Sequence, residues 1–125
     1  FSSVLVAYAV FDDPSAADAY FSDAAYNLGD QEVAEIKSFR IERPGYPVVA
    51  MNCAYVPSTN NSVNCHYKTP DRKIVAVLLF AGGPALDFSG DGRAIDLVFA
   101  DNKAANRVSL VASASWAYLY DAVYR

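Results

Sequence analysis

The sequence predicts an α+β fold that is mostly β: an antiparallel sheet or partly closed β-barrel of about seven strands, with one helix, residues 14–28, packed on it. Three observations favour this fold. Short segments rich in β-branched and aromatic residues recur along the chain, separated by turn residues. One segment shows helical spacing of its apolar residues. The length of 125 residues is typical of a single domain, residues 1–125.

The first two elements follow directly from the residues. Residues 3–11 are apolar nearly throughout, which predicts a strand buried on both faces. Asp13 then offers an N-cap and Pro14 suits the first helical position. Apolar residues recur at three- and four-residue spacing up to the C-capping Gly29. This pattern predicts the helix at 14–28.

The rest of the chain predicts strands separated by turns. The strongest pattern lies in residues 107–120, where apolar residues alternate with serines and predict a long half-buried strand. Residues 73–81 are apolar from Ile74 onward and predict a central strand. Four more strands are predicted at residues 33–43, 48–56, 63–68 and 94–100.

The only two cysteines, Cys53 and Cys65, lie on two strands joined by a polar tip. This placement predicts a disulfide that closes a short loop, and hence an extracellular, secreted protein. The alternative is a pair of reduced, buried thiols in a cytosolic protein. Asn60 begins an N-glycosylation sequon within the same tip, which adds little because sequons occur often by chance.

A loop rich in aspartate and glycine, residues 87–92, is the main candidate for a metal site. Alternating oxygen ligands before a glycine are typical of the start of a calcium loop. The glutamate that would complete an EF-hand is missing, so the alternative is an ordinary turn. Calcium is the one cofactor that the sequence suggests, with these candidate ligands: Asp87, Ser89, Asp91 and Asp96.

The single histidine, His66, follows Cys65 directly. Adjacent residues on a strand point to opposite faces, so the two do not form a catalytic pair, and we expect a surface histidine. A small carboxylate-dependent hydrolase ranks last among the functions, because nothing in the sequence indicates a particular carboxylate pair. No catalytic residue is therefore predicted.

Aromatic residues are abundant, with nine tyrosines, seven phenylalanines and one tryptophan. Tyrosine rings make good contact surfaces because each offers a large area at a small entropic cost. The alternative is that most of these rings belong to the core. The candidate binding residues, which include the sequon asparagine, are Tyr46, Tyr55, Asn60, Trp116, Tyr118 and Tyr120.

Charge and hydropathy exclude some classes of partner. The net charge is −4 and there is no basic cluster, which argues against nucleic acid. No apolar run approaches the length of a membrane span. We therefore expect a small secreted, non-catalytic binding module, resembling an effector, inhibitor or lectin in kind, with a protein or glycan partner. The alternative is a structural subunit of a filament or shell that self-associates by strand pairing.

Overall fold

The computed structural model describes residues 1, 3–13, 15–16, 19, 36–56, 61–71, 73–83 and 94–125. Five strands form one open antiparallel sheet, in the order β1–β5–β4–β3–β2. Two helices follow the last strand. The elements, in chain order, are β1 (Ser3–Val10), β2 (Ile36–Ile41), β3 (Val49–Val56), β4 (Ser62–Lys68), β5 (Ile74–Ala81), α1 (Ala94–Ala100) and α2 (Asn102–Tyr124).

The antiparallel sheet confirms the predicted β-rich class, and five of the predicted strands are present. The sheet is not closed into a barrel, and it has five strands rather than about seven. Strands β2 to β5 are consecutive neighbours, while β1 pairs with β5 from Ser3 opposite Ala81 to Val10 opposite Ile74. The predicted central strand β5 accordingly lies between β1 and β4. The two edges of the sheet are β1 and β2.

Two of the predicted strands are helices, so those predictions are wrong. The segment 94–100 is α1, and its buried residues Ile95 and Val98 are three apart, as on one helix face. The segment 107–120 lies within α2. The buried residues of α2 recur mostly every four positions, not every second one: Ala104, Val108, Ala112, Trp116, Ala117 and Leu119.

Asp101 separates the two helices and starts the second one. Its backbone is extended, and its carboxylate accepts hydrogen bonds from the N–H groups of Lys103 (2.8 Å) and Ala104 (3.3 Å). An N-cap of this kind satisfies backbone donors that the first helical turn leaves unpaired. Residues 101–103, between two segments predicted as strands, are therefore the start of α2.

The core lies between α2 and one face of the sheet. On this face Met51, Cys53 and Leu78 are buried. Trp116 of α2 packs edge-on against Tyr67, with ring centroids 6.0 Å apart. The indole Nε1–H of Trp116 donates to the backbone carbonyl of Pro47 at 2.8 Å, so the largest core side chain also has its polar atom satisfied.

The predicted helix at 14–28 lies almost entirely outside the described residues. Its predicted N-cap is described: the Asp13 carboxylate accepts a hydrogen bond from the N–H of Ser15 at 2.9 Å, and its carbonyl accepts one from Ala16 at 3.1 Å. These contacts are those of a cap at the beginning of a helical turn. Within the described part of the chain, neither helix is both long and apolar enough to cross a membrane.

Candidate interaction surface

Strand β1 is an exposed apolar edge, although its sequence predicts burial on both faces. Leu5 is 58% exposed, and Tyr8 and Val10 are each 50% exposed. The prediction of burial is wrong because, among the described strands, β1 pairs with β5 alone and lies at the end of the sheet. No side chain of Ser3–Val10 carries a formal charge at neutral pH. An uncharged, exposed edge strand is a template for pairing with another chain.

The backbone of β1 faces outward at every second residue. The N–H of Phe11, just past the strand, donates to the carbonyl of Lys73 at 2.7 Å on the β5 side. Hydrogen-bonding direction alternates along an antiparallel strand, so the odd-numbered residues of β1 bond toward β5. The even-numbered residues turn their N–H and C=O groups away from it, and no strand among the described residues pairs with that side. These residues are Val4, Val6, Tyr8 and Val10.

Helix α2 extends this apolar surface beside the strand. Tyr118, 63% exposed, meets Tyr8 edge-on with centroids 6.4 Å apart. Between β1 and α2 runs an open groove of about 400 Å³, with these lining residues: Val6, Tyr8, Val111, Ala114, Ser115, Tyr118 and Leu119. We define the β1 surface as the exposed side chains of Leu5, Val6, Tyr8, Val10 and Tyr118.

The other edge of the sheet is different, because charged side chains occupy it. Lys37 and Arg40 both belong to β2. The Lys37 ammonium forms an ion pair with Asp96 of α1 at 2.6 Å, and Arg40 lies 3.6 Å from Glu42. Charged residues on an edge strand discourage pairing with another chain. Among the strands that the structure describes, β1 therefore presents the edge better suited to strand addition.

A second groove, of about 520 Å³, lies between β2 and α2. Its apolar side chains include Phe39, whose ring lies 4.7 Å from that of Phe99. Its charged residues are Lys37, Arg40 and Glu42, each of which has an oppositely charged neighbour. Opposite charges in contact leave little net field to attract an ionic ligand. We therefore regard the β1 surface as the stronger candidate site.

Two of the candidate tyrosines, Tyr46 and Tyr120, pack against each other beside the C-terminal residue. Their centroids are 5.5 Å apart, and the Arg125 guanidinium lies 4.7 Å from the Tyr46 ring and 5.2 Å from the Tyr120 ring. Arg125 also donates to the carbonyl of Gly45 at 2.7 Å. The Tyr46 hydroxyl donates to Asp121 at 2.9 Å, and this hydrogen bond raises the pKa of Tyr46. These contacts fasten the end of α2 to the turn at 44–47.

The other candidate aromatic residues fall in different places. Trp116 and Tyr55 are buried, 1% and 4% exposed, so they stabilise the core and do not form a contact surface. The Tyr55 hydroxyl donates to the side-chain oxygen of Asn61 at 3.0 Å. Asn60 lies outside the described residues. Tyr118 alone among the candidates lies on the β1 surface.

Most of the candidate calcium loop also lies outside the described residues, namely Asp87, Ser89 and Asp91. The fourth candidate ligand, Asp96, is described and accepts the hydrogen bond from Lys37. Among the described residues, no three His, Cys, Asp or Glu side chains lie close enough together to hold a metal ion. Asp96 therefore has a structural contact in α1, and the calcium loop stays a prediction.

The disulfide between Cys53 and Cys65 is confirmed, with a Cα–Cα distance of 4.0 Å across the β3–β4 pair. Both cysteines are fully buried. The bond fits an extracellular or other oxidising location. It also removes any free thiolate that could work with His66.

His66 is buried, 4% exposed, so the expectation of a surface histidine is wrong. It lies on the sheet face opposite the disulfide, where Ala54 and Val75 are also fully buried. Strand β4 lies in the interior of the sheet and is buried on both faces. Burial, with a smaller contribution from Lys68, lowers the pKa of His66, which favours the neutral ring.

Sequence reasoning missed most of the β1 surface: Leu5, Val6, Tyr8 and Val10. A signal was present in the absence of charge from Ser3 to Val10, but the same signal is typical of a strand inside a sheet. Comparison of the chain with protein-family models, curated proteins and solved structures finds no match. The function of the chain is therefore inferred from its own geometry.

Proposed function

We propose that this chain is a secreted, non-catalytic interaction module that binds an extended protein segment along β1. The observation that carries the proposal is the exposed, uncharged edge of β1, bordered by the apolar groove beside α2. An added strand would bond to the outward N–H and C=O groups of four residues of β1. Side chains of that strand on the helix face would enter the groove.

The chemistry of the surface favours an apolar, alternating partner strand. Tyr8 and Tyr118 present ring faces and hydroxyl groups, a combination suited to protein contact. The β1 surface contains no ionisable group other than these phenols, so a charged segment would lose water of hydration without gaining a partner charge. A protein partner therefore fits this surface better than a glycan.

A structural subunit of an open filament is the second candidate, because it would use the same edge. An open filament needs two complementary interfaces on each copy. The ion-paired charges on β2 weigh against the second edge as the other interface. The disulfide and the buried histidine weigh against a thiol or histidine nucleophile among the described residues.

Peptide selection tests the proposal. The protein is immobilised sparsely, so that copies do not meet, and a displayed library of random peptides is selected on it. We expect recovered peptides to be extended and apolar, with large side chains at alternate positions. They should lose binding to Val6→Lys, because this places an ammonium group in the groove.

Val48→Lys is the matched control, since Val48 is also an exposed valine, at 45%, but lies outside β1 and the groove. The control should bind the selected peptides like the wild type, and circular dichroism should show that both variants fold. Peptides that bind Val6→Lys and the wild type equally would place the binding site elsewhere and refute the proposal.

A further inference from the structure

We propose that the partner strand is β1 of a second copy of this chain, paired antiparallel across a two-fold axis to make one ten-stranded sheet. The inference depends on the proposed function and names its partner. Three properties of β1 support it: its hydrogen-bonding register, the sizes of its side chains and the area of the β1 surface.

The even-numbered residues of β1, whose backbone groups face outward, determine the register of the pairing. Two antiparallel copies use all four of them when Val4 faces Val10 of the second copy and Val6 faces Tyr8 of the second copy. Each such pair exchanges two backbone hydrogen bonds, because both residues turn their N–H and C=O toward the shared edge. The axis then passes beside Ala7, which faces Ala7 of the second copy. This register satisfies every outward N–H and C=O of the strand.

The side chains are self-complementary in the same register. On the helix face, Tyr8 is opposite the smaller Val6 of the second copy. On the other face, Leu5 is opposite Ala9 of the second copy, and the alanines at the axis leave room for the close approach of a non-hydrogen-bonded pair. Large side chains thus lie opposite smaller ones on both faces, as cross-strand packing favours.

The area is close to what a specific dimer needs. A two-fold axis perpendicular to the sheet keeps α2 of both copies on one side, so Tyr118 of each copy flanks the joined strands. The five side chains of the β1 surface are 38–63% exposed. They present on the order of 500 Å² per copy, at the upper end of an apolar patch on a monomer. Two copies would bury about 1,000 Å², where specific interfaces begin.

Charge favours a closed dimer. Despite its net charge of −4, the chain brings no charged side chain to the pairing strands themselves. The outer edges of the joined sheet would be the two copies of β2, which carry Lys37 and Arg40. Charged side chains on an edge strand would lose water on pairing and oppose further edge-to-edge addition, so the assembly ends at two copies.

Light scattering after size exclusion tests the dimer. We expect the wild type to approach twice the 13.5 kDa chain mass as concentration rises. Val6→Lys should stay at the chain mass under the same conditions, because it would place an ammonium group against Tyr8 of the second copy. The control Val48→Lys should dimerise like the wild type, and both variants should have wild-type circular dichroism.

A cysteine pair tests the register. Ala7→Cys would place two thiols across the axis, with Cα atoms about 4.5 Å apart, within the range that a disulfide spans. Leu5→Cys, at a position that is also exposed, would place its two thiols about 13 Å apart along the strands. We expect covalent dimer on a non-reducing gel for Ala7→Cys and little for Leu5→Cys. The native cysteines do not interfere, since they are bonded to each other.

A monomer at every concentration, or a dimer that Val6→Lys leaves intact, would overturn the inference. So would equal cross-linking of the two cysteine variants. A monomer that still captures peptides through Val6 would overturn only the second copy as partner and would leave the proposed function standing. A monomer that captures none would refute both.

Discussion

Removing the disulfide should cost a large part of the folding free energy. Cys53 and Cys65 are separated by 12 positions in sequence, a short loop that contains the tip between β3 and β4. In the chain-entropy description, a cross-link over a loop of this length lowers the free energy of folding by about 3 kcal/mol. The double variant Cys53→Ala/Cys65→Ala also loses two buried sulfur atoms, which adds about 1 kcal/mol more. A domain of this size is typically stable by about 5–15 kcal/mol.

Urea unfolding followed by tryptophan fluorescence measures this loss, because Trp116 is buried in the core. A loss of about 3–4 kcal/mol should lower the urea midpoint by about 1–3 M at the m-values usual for small domains. Wild-type protein that is unfolded, reduced and refolded under reductant should show a similar loss. A double variant with the wild-type midpoint would refute this reasoning, since it would mean that the cross-link does not restrict the unfolded chain enough to affect stability.

Three further changes test other contacts. Tyr67→Phe removes a hydroxyl that lies 2.9 Å from the Ser115 hydroxyl and should lower the free energy of unfolding by about 1 kcal/mol. Burial raises the pKa of Tyr67 to about 12. In urea titrations the wild type should therefore lose more stability than this variant as pH rises from 10 to 12. Burial lowers the pKa of His66 below 6.5, so the neutral ring contributes stability above pH 6.5 that decreases as the pH falls below 6.5. Thermal melts of His66→Asn should therefore show a weaker dependence on acid than those of the wild type. Arg125→Ala removes the cation from the faces of Tyr46 and Tyr120 and should lower the free energy of unfolding by up to about 1 kcal/mol. Amide hydrogen exchange should become faster in the last turn of α2 alone. Unchanged exchange there would show that Arg125 does not hold the end of α2 in place.

The strands that could be predicted are those that pair with strands close to them in sequence. Strands β2, β3 and β4 are separated by few residues in sequence and pair with their neighbours in the chain. Their patterns of β-branched and aromatic residues therefore agree with the fold at a local level. The disulfide was predictable for the same reason, because the antiparallel pairing of β3 with β4 brings Cys53 opposite Cys65.

Helix α2 could not be predicted from alternation because alanine and serine fit either period. When Ala112 and Ala114 are counted as apolar, the apolar residues recur at every second position, as in a half-buried strand. In such a strand Leu110 and Tyr118 would be buried. The structure leaves both of these residues exposed. The larger signal was composition, since alanine has the highest helix propensity and recurs throughout this segment.

The candidate site was harder to predict than the fold, because exposure depends on the whole sheet. Tyr118 and Trp116 lie two positions apart in the same helix, yet one is exposed and the other is the centre of the core. A helix turns by about 200° over two residues, so their side chains point to opposite sides. The sequence alone, interpreted as a strand, placed them on one face.

Strand β1 shows that an apolar sequence predicts burial but does not tell whether the same chain or a partner buries it. A continuous apolar run indicates that a strand will be covered, and for β5 the neighbours β1 and β4 do this within the same chain. For β1 the described residues supply a neighbouring strand on one side only, and Leu5, Tyr8 and Val10 stay exposed. A soluble monomer would usually protect such an edge with charge, as β2 does with Lys37 and Arg40. The contrast between the two edges of one sheet is therefore the physical reason to look for a partner at β1.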